Sequence, residues 1–108
     1  MTSSGPAFIL TLIEAMIEAG VAMGFQVKDA EDLILQMMHG CLTMVQKTGE
    51  HPAKLKWQIA SPNGTTIAGL RVLEKENLRS GLIETFLAAY QRAQEISKEQ
   101  EIKAIHIL

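Results

Sequence analysis

Residues 6–23 read PAFILTLIEAMIEAGVAM, and this stretch decides the fold. Its only strongly polar residues are Thr11, Glu14 and Glu18, whose 3–4 spacing places them in one thin stripe along a helix. Every other position is apolar or small. A helix of this kind must be buried on nearly all sides.

Four further helices follow, and the residues between them explain where each one ends. Gly49 is suited to the position after a helix, and Pro52 to the first position of the next one. His51 precedes that proline and is expected to serve as a cap or turn residue. Glu76-Asn77 predicts a break, because Asn is a weak helix former and a good cap. The predicted helices cover residues 6–23, 28–48, 52–60, 65–75 and 78–97.

The ends of the first helix carry their own signals. Ser4 is expected to cap its start, and Pro6 lies early, where a missing N–H costs nothing. Gly20 and Gly24 are expected to mark its end. At the other end of the chain, residues 98–108 form a tail for which both a helical extension and disorder stay open.

The length of the chain limits how much apolar surface it can bury alone. It has 108 residues, 47% of them apolar and 20% charged, which predicts one folded domain over residues 1–97. If a monomer left about 400 Å² of apolar surface in water, the lost burial would be about 10 kcal/mol. That rivals the whole stability of a domain, about 5–15 kcal/mol. We therefore expect an all-α, five-helix domain that forms a homodimer, or a larger assembly built from it.

Charge and motifs exclude several classes of function. The net charge of -2 disfavours nucleic acid as a partner. Glu14 and Glu18 disfavour a membrane span, and a solvated helix edge explains them better than acid–base chemistry. The single Cys41 fits a reducing compartment, here the cytoplasm. Neither a metal site nor a nucleotide-binding glycine loop can be recognised, so we assign no metal ligands and no cofactor-binding residues.

The most informative stretch for function is residues 61–70, SPNGTTIAGL. A tight turn there leads directly into the start of a helix, whose first N–H groups have no partner within the helix. The positive end of the helix dipole and the hydroxyls of Thr65 and Thr66 would suit a small anion such as a carboxylate. Asn63 and Gly64 allow a ligand to approach the backbone closely. Taken alone, the stretch fits an ordinary helix cap better, because Ser and Thr are common capping residues.

Three blocks in order resemble the C-terminal domain of pyrroline-5-carboxylate reductase, the family that makes proline. They are residues 4–8 (SGPAF), residues 48–53 (TGEHPA) and residues 61–70 (SPNGTTIAGL). The third block matches the family signature S-P-G-G-T-T-I-A-G-L in all but one position. The differing residue is Asn63, where the family has Gly. Asn accepts a positive φ better than most residues, so the shape of the loop can survive.

The resemblance implies an interlocked helical dimer that binds a cyclic imino acid, 1-pyrroline-5-carboxylate. It places the substrate carboxylate on Ser61, Asn63, Gly64, Thr65 and Thr66, with the Thr66 hydroxyl nearest the ligand as the candidate catalytic group. In the family, NADPH or NADH reduces the substrate to L-proline.

The 108 residues carry none of the family's Rossmann domain. We therefore expect no cofactor binding and no hydride transfer by this chain alone. The alternative is a non-catalytic helical dimerisation or assembly module derived from the reductase.

Overall fold

The computed structural model describes residues 3–61 and 64–107, and these ranges form helices without any β-strand. The five predicted helices and the all-α class are confirmed. Four helices match the predicted bounds to within one residue at each end, and the fifth continues through the segment after Ser97. The helices are α1 (Gly5–Ala22), α2 (Val27–Thr48), α3 (Pro52–Ala60), α4 (Gly64–Lys75) and α5 (Leu78–Ile107).

The most extensive contact between helices joins α1 and α2, which form an antiparallel hairpin. Gly20 lies within α1, where it is buried, and a Cβ built on it would lie 2.8 Å from the Cβ of Ala30. The prediction that Gly20 marks the helix end was therefore wrong: its missing side chain lets the two helices approach. Gly24 does end the helix, with φ of 106°.

The start of α1 differs from the sequence prediction. Ser4 has helical backbone angles, φ -96° and ψ -32°, and its side chain makes no capping hydrogen bond. Its carbonyl instead accepts a hydrogen bond from the N–H of Ala7 at 3.1 Å. A capping side chain needs an extended backbone at its own residue, and Ser4 lacks one.

Two left-handed residues separate the later helices. Gly49 follows α2 with φ of 66°, and Asn77 lies between α4 and α5 with φ of 59°. Both breaks were predicted, and Gly and Asn are the residues that tolerate this conformation most readily. The left-handed backbone at positions 49 and 77 therefore falls on residues that adopt it with little strain.

The described residues contain almost no hydrophobic core. The buried apolar side chains are Ala30, Leu55 and Ala60. The molecule measures 64 × 32 × 30 Å with a radius of gyration of 18.9 Å, whereas a compact chain of this length would have about 13 Å. Its accessible surface is 8952 Å², against about 5,900 Å² for a compact monomer of this mass. The single chain is an open arrangement of helices.

Helix α1 illustrates this openness. The rings of Phe8 and Phe86 of α5 pack edge to face with centroids 5.1 Å apart, but Leu10 remains 63% exposed. By length and composition alone, α1 is also apolar enough to cross a bilayer. Because such a helix is equally typical of a protein interface, the absence of a membrane partner stays a prediction.

Candidate functional site

Helix α3 leads into the candidate site and is fixed at both ends. At its start, the N–H of Ala53 donates to His51 Nδ1 at 3.0 Å, which confirms the capping role predicted for His51. Further along, Leu55 and Ala60 are buried against the rest of the chain. The end of α3 therefore presents the following residues from a well-anchored helix.

Ser61 lies at that end. Its N–H donates to the carbonyl of Trp57 at 2.9 Å, and the residue is exposed. Because this amide already completes the last turn of α3, Ser61 can offer an anion only its hydroxyl as a hydrogen-bond donor. The sequence alone did not indicate that the backbone N–H of Ser61 is unavailable for substrate binding.

Helix α4 begins at Gly64, so Gly64, Thr65 and Thr66 form its first turn. The N-terminal turn of an α-helix carries a partial positive charge from the helix dipole. The first turn of α4 contains no acidic residue that would oppose an incoming anion. The predicted position of a carboxylate at this helix start therefore has suitable electrostatics.

Thr66 differs from its neighbours because it is half-buried, whereas Gly64 and Thr65 are exposed. It lines a groove of about 260 Å³ between α2, α3 and α4. The groove is almost entirely apolar apart from Thr66 and Lys56. Its lining residues are Cys41, Met44, Val45, Pro52, Leu55, Lys56, Ile59 and Thr66.

The groove and the helix start together form a two-part surface. The hydroxyl of Ser61 and the first turn of α4 provide the polar part, and the side chains of α2 and α3 provide the apolar wall. A small ring that bears a carboxylate has the same two parts. Asn63, the remaining predicted ligand residue, lies outside the described residues, so its role stays a prediction.

Sequence reasoning missed the apolar wall and Lys56. The spacing of Pro52, Leu55 and Ile59 could have indicated the apolar wall, because residues three and four apart share one helix face. Lys56 is half-buried, and its Nζ lies 5.8 Å from the centroid of the Trp57 ring. It is the charged residue among those that line the groove.

In the part of the chain that the structure describes, the acidic side chains considered in the sequence do not form a second candidate site. Glu14 and Glu18 are exposed on α1, in agreement with a solvated helix edge. Within residues 3–61 and 64–107, no group of three or more His, Cys, Asp or Glu side chains could hold a metal ion.

Comparison with known proteins identifies the family. The family model for the dimerisation domain of pyrroline-5-carboxylate reductase matches residues 1–96. The chain belongs to this family. The resemblance carried by the three sequence blocks is confirmed, and membership in a dimerisation family supports the homodimer expected from the shortage of burial.

Individual relatives agree with this assignment. Pyrroline-5-carboxylate reductase from Synechocystis is 44% identical over 99 residues, which cover 92% of this chain and 37% of the relative. The Arabidopsis thaliana enzyme is 45% identical over 98 residues, covering 91% and 36%. The chain therefore spans a little over a third of the length of these curated relatives.

Solved structures show the same arrangement of helices. A pyrroline-5-carboxylate reductase from Coxiella burnetii superimposes with a TM-score of 0.80 at 38% identity, over 85% of this chain and 34% of that one. Pyrroline carboxylate reductase from Plasmodium falciparum, crystallised with NADP bound, gives 0.73 at 35% identity, over 76% and 31%.

Proposed function

We propose that this chain is the dimerising and substrate-binding part of a pyrroline-5-carboxylate reductase, which reduces 1-pyrroline-5-carboxylate to L-proline with NADH or NADPH. Family membership and the names of the relatives support the reaction. The bound NADP of the Plasmodium falciparum structure supports a nicotinamide cofactor.

The observation that carries the substrate assignment is the junction of α3 and α4. An anion at the start of α4 would receive hydrogen bonds from the amides of Gly64 and Thr65 and from the hydroxyl of Ser61. Thr66 lies between the helix start and the apolar groove, so its hydroxyl would be nearest the ring. Asn63 is the fifth residue in this proposed set.

The role of these residues is to bind and orient the substrate. The carboxylate fixes one end of the ring, and the apolar groove excludes water from its CH₂ groups. No glycine-rich dinucleotide loop occurs among the 108 residues, so they do not fit a nicotinamide dinucleotide. The nicotinamide cofactor that supplies the hydride to the C=N bond must therefore be held by a part of the enzyme outside these residues, and we expect this chain alone to be inactive.

The composition supports three further parts of the proposal. The net charge of -2 argues against nucleic acid as a partner, and the glutamates of α1 argue against a membrane. The single Cys41 favours the cytoplasm, where thiols stay reduced.

Thermal denaturation with L-proline tests the site. Millimolar L-proline should raise the melting temperature through linkage, whereas pyrrolidine, which lacks the carboxylate, should not. Thr66→Val removes the hydroxyl with little change in shape and should weaken proline binding at least about tenfold, since hydrogen bonds to charged groups contribute about 1.5–3 kcal/mol.

Thr85→Val is the matched control for this experiment. The Thr85 hydroxyl donates to the carbonyl of Gly81 at 2.7 Å on α5, away from the groove, so its loss should leave proline binding unchanged. Equal shifts with proline and pyrrolidine would contradict the carboxylate site. A dimer that responds to no ring carboxylate would favour the alternative, a non-catalytic assembly module, to which the missing dinucleotide loop also points.

A further inference from the structure

Helix α5 continues beyond the region that the family model matches. The match ends at residue 96, and α5 runs on without a break to Ile107. Arg92 ties the two parts together, because its guanidinium donates to Glu95 at 2.9 Å and to Glu99, one turn into the additional segment, at 3.4 Å. We call residues 97–107 the α5 extension.

The α5 extension carries large aliphatic side chains that this chain leaves in water. Ile102 is 49% exposed and Ile105 is 69% exposed. Residues three apart lie on the same side of a helix, so the two isoleucines form one patch. Exposed aliphatic side chains that cluster near the end of a helix are typical of a surface that another molecule covers.

The family-matched part of α5 also leaves large apolar side chains exposed. Ile83, Leu87 and Tyr90 are 54%, 48% and 60% exposed. The chain as a whole exposes roughly 3,000 Å² more surface than a compact monomer would, an amount that fits the large apolar interfaces of obligate dimers. Both parts of α5 therefore expose large apolar side chains that this chain does not cover.

We infer that the homodimer interface continues along α5 past residue 96, and that Ile102 and Ile105 pack against the partner subunit. The charges of the α5 extension agree with a second copy rather than another class of partner. Lys98 and Lys103 balance Glu99 and Glu101, so the segment offers no net charge to select a membrane or a strongly charged protein. This inference goes beyond the proposed function and does not depend on the substrate.

The double variant Ile102→Ser/Ile105→Ser tests the inference in the full chain. Analytical ultracentrifugation across a dilution series should show a dimer dissociation constant at least about tenfold higher than that of the unchanged chain, because the apolar patch of each subunit is lost. If the dimer is too tight to dissociate on dilution, urea unfolding at two protein concentrations reports the same loss as a lower midpoint at each concentration.

Gln100→Ser/Lys103→Ser, on the side of the helix opposite the two isoleucines, is the matched control. It makes two substitutions to serine in the same segment at exposed polar positions and should change the dissociation constant less than twofold. A chain ending at Ser97 should behave like the isoleucine variant. The inference is overturned if the isoleucine variant dissociates and unfolds like the unchanged chain, or if only an assembly larger than the dimer is lost. Neither measurement uses a ligand, so failure here leaves the proposed function standing.

Discussion

The α1–α2 hairpin and helix α5 use apolar sequence in opposite ways. In the hairpin, Gly20 lets α1 come so close to Ala30 that a side chain there would have no room. Along α5, Ile83, Leu87 and Tyr90 stay exposed although they are larger and more apolar. The comparison shows that the close contact within this chain is made by small residues. The large apolar residues of α5 lack such contacts in the single chain.

Ile83→Glu should have the largest effect and directly tests the open side of this comparison. Ile83 lines a groove between α4 and α5, and if the partner subunit covers it, the variant buries an unpaired charge. We expect a loss of about 3–5 kcal/mol in the free energy of unfolding, measured by urea denaturation together with the mass of the particle in solution. Glu84→Gln, at the next residue, should change stability by less than about 0.5 kcal/mol. Equal behaviour of the two variants would mean that this face of α5 stays in water.

Gly20→Val tests the closed side. An added Cβ would lie 2.8 Å from the Cβ of Ala30, so the helices must separate. We expect the free energy of unfolding to fall by about 1–3 kcal/mol. Gly69→Ala is the control, because a Cβ there meets nothing within 4 Å in the chain and alanine favours a helix by about 0.5–1 kcal/mol. Urea unfolding should therefore show changes of opposite sign, and a stabilised Gly20→Val would contradict the close contact.

His51→Ala should have the smallest effect and tests whether a local cap holds the start of α3, the helix that leads into the candidate site. It removes the acceptor for the N–H of Ala53 at the start of α3, which should cost about 1 kcal/mol. His39→Ala, at an exposed position of α2, should be close to neutral. If both histidine variants unfold at the same urea concentration, the cap does not anchor α3.

Much of the fold follows from local sequence. The breaks at Gly49 and Asn77 were predictable because left-handed backbone favours those two residue types wherever they occur. The failure at Ser4 has a local cause as well: a serine can cap only if its backbone is extended, and its identity does not settle its backbone angles. Sequence also left the end of α5 open, since the charged residues after Ser97 fit a helix and a disordered tail alike.

The candidate site was predictable in part. Ser61, Gly64, Thr65 and Thr66 lie together because the turn and the start of α4 are neighbours along the chain. Sequence did not reveal that the amide of Ser61 is already used by Trp57, since that depends on where α3 stops. Nor did it reveal the apolar wall, which brings α2 to Thr66 across a long stretch of chain.

By itself, the sequence determined the helices, the turns between them, the anion-suited start of α4 and the need for a second copy. Each of these depends on neighbouring residues or on the total amount of apolar side chain. Only the tertiary structure decided that Gly20 is a contact rather than a helix end, that Thr66 faces an apolar groove, and that α5 carries its exposed face beyond residue 96. Those features depend on how distant helices meet, and the packing of whole helices sets that geometry.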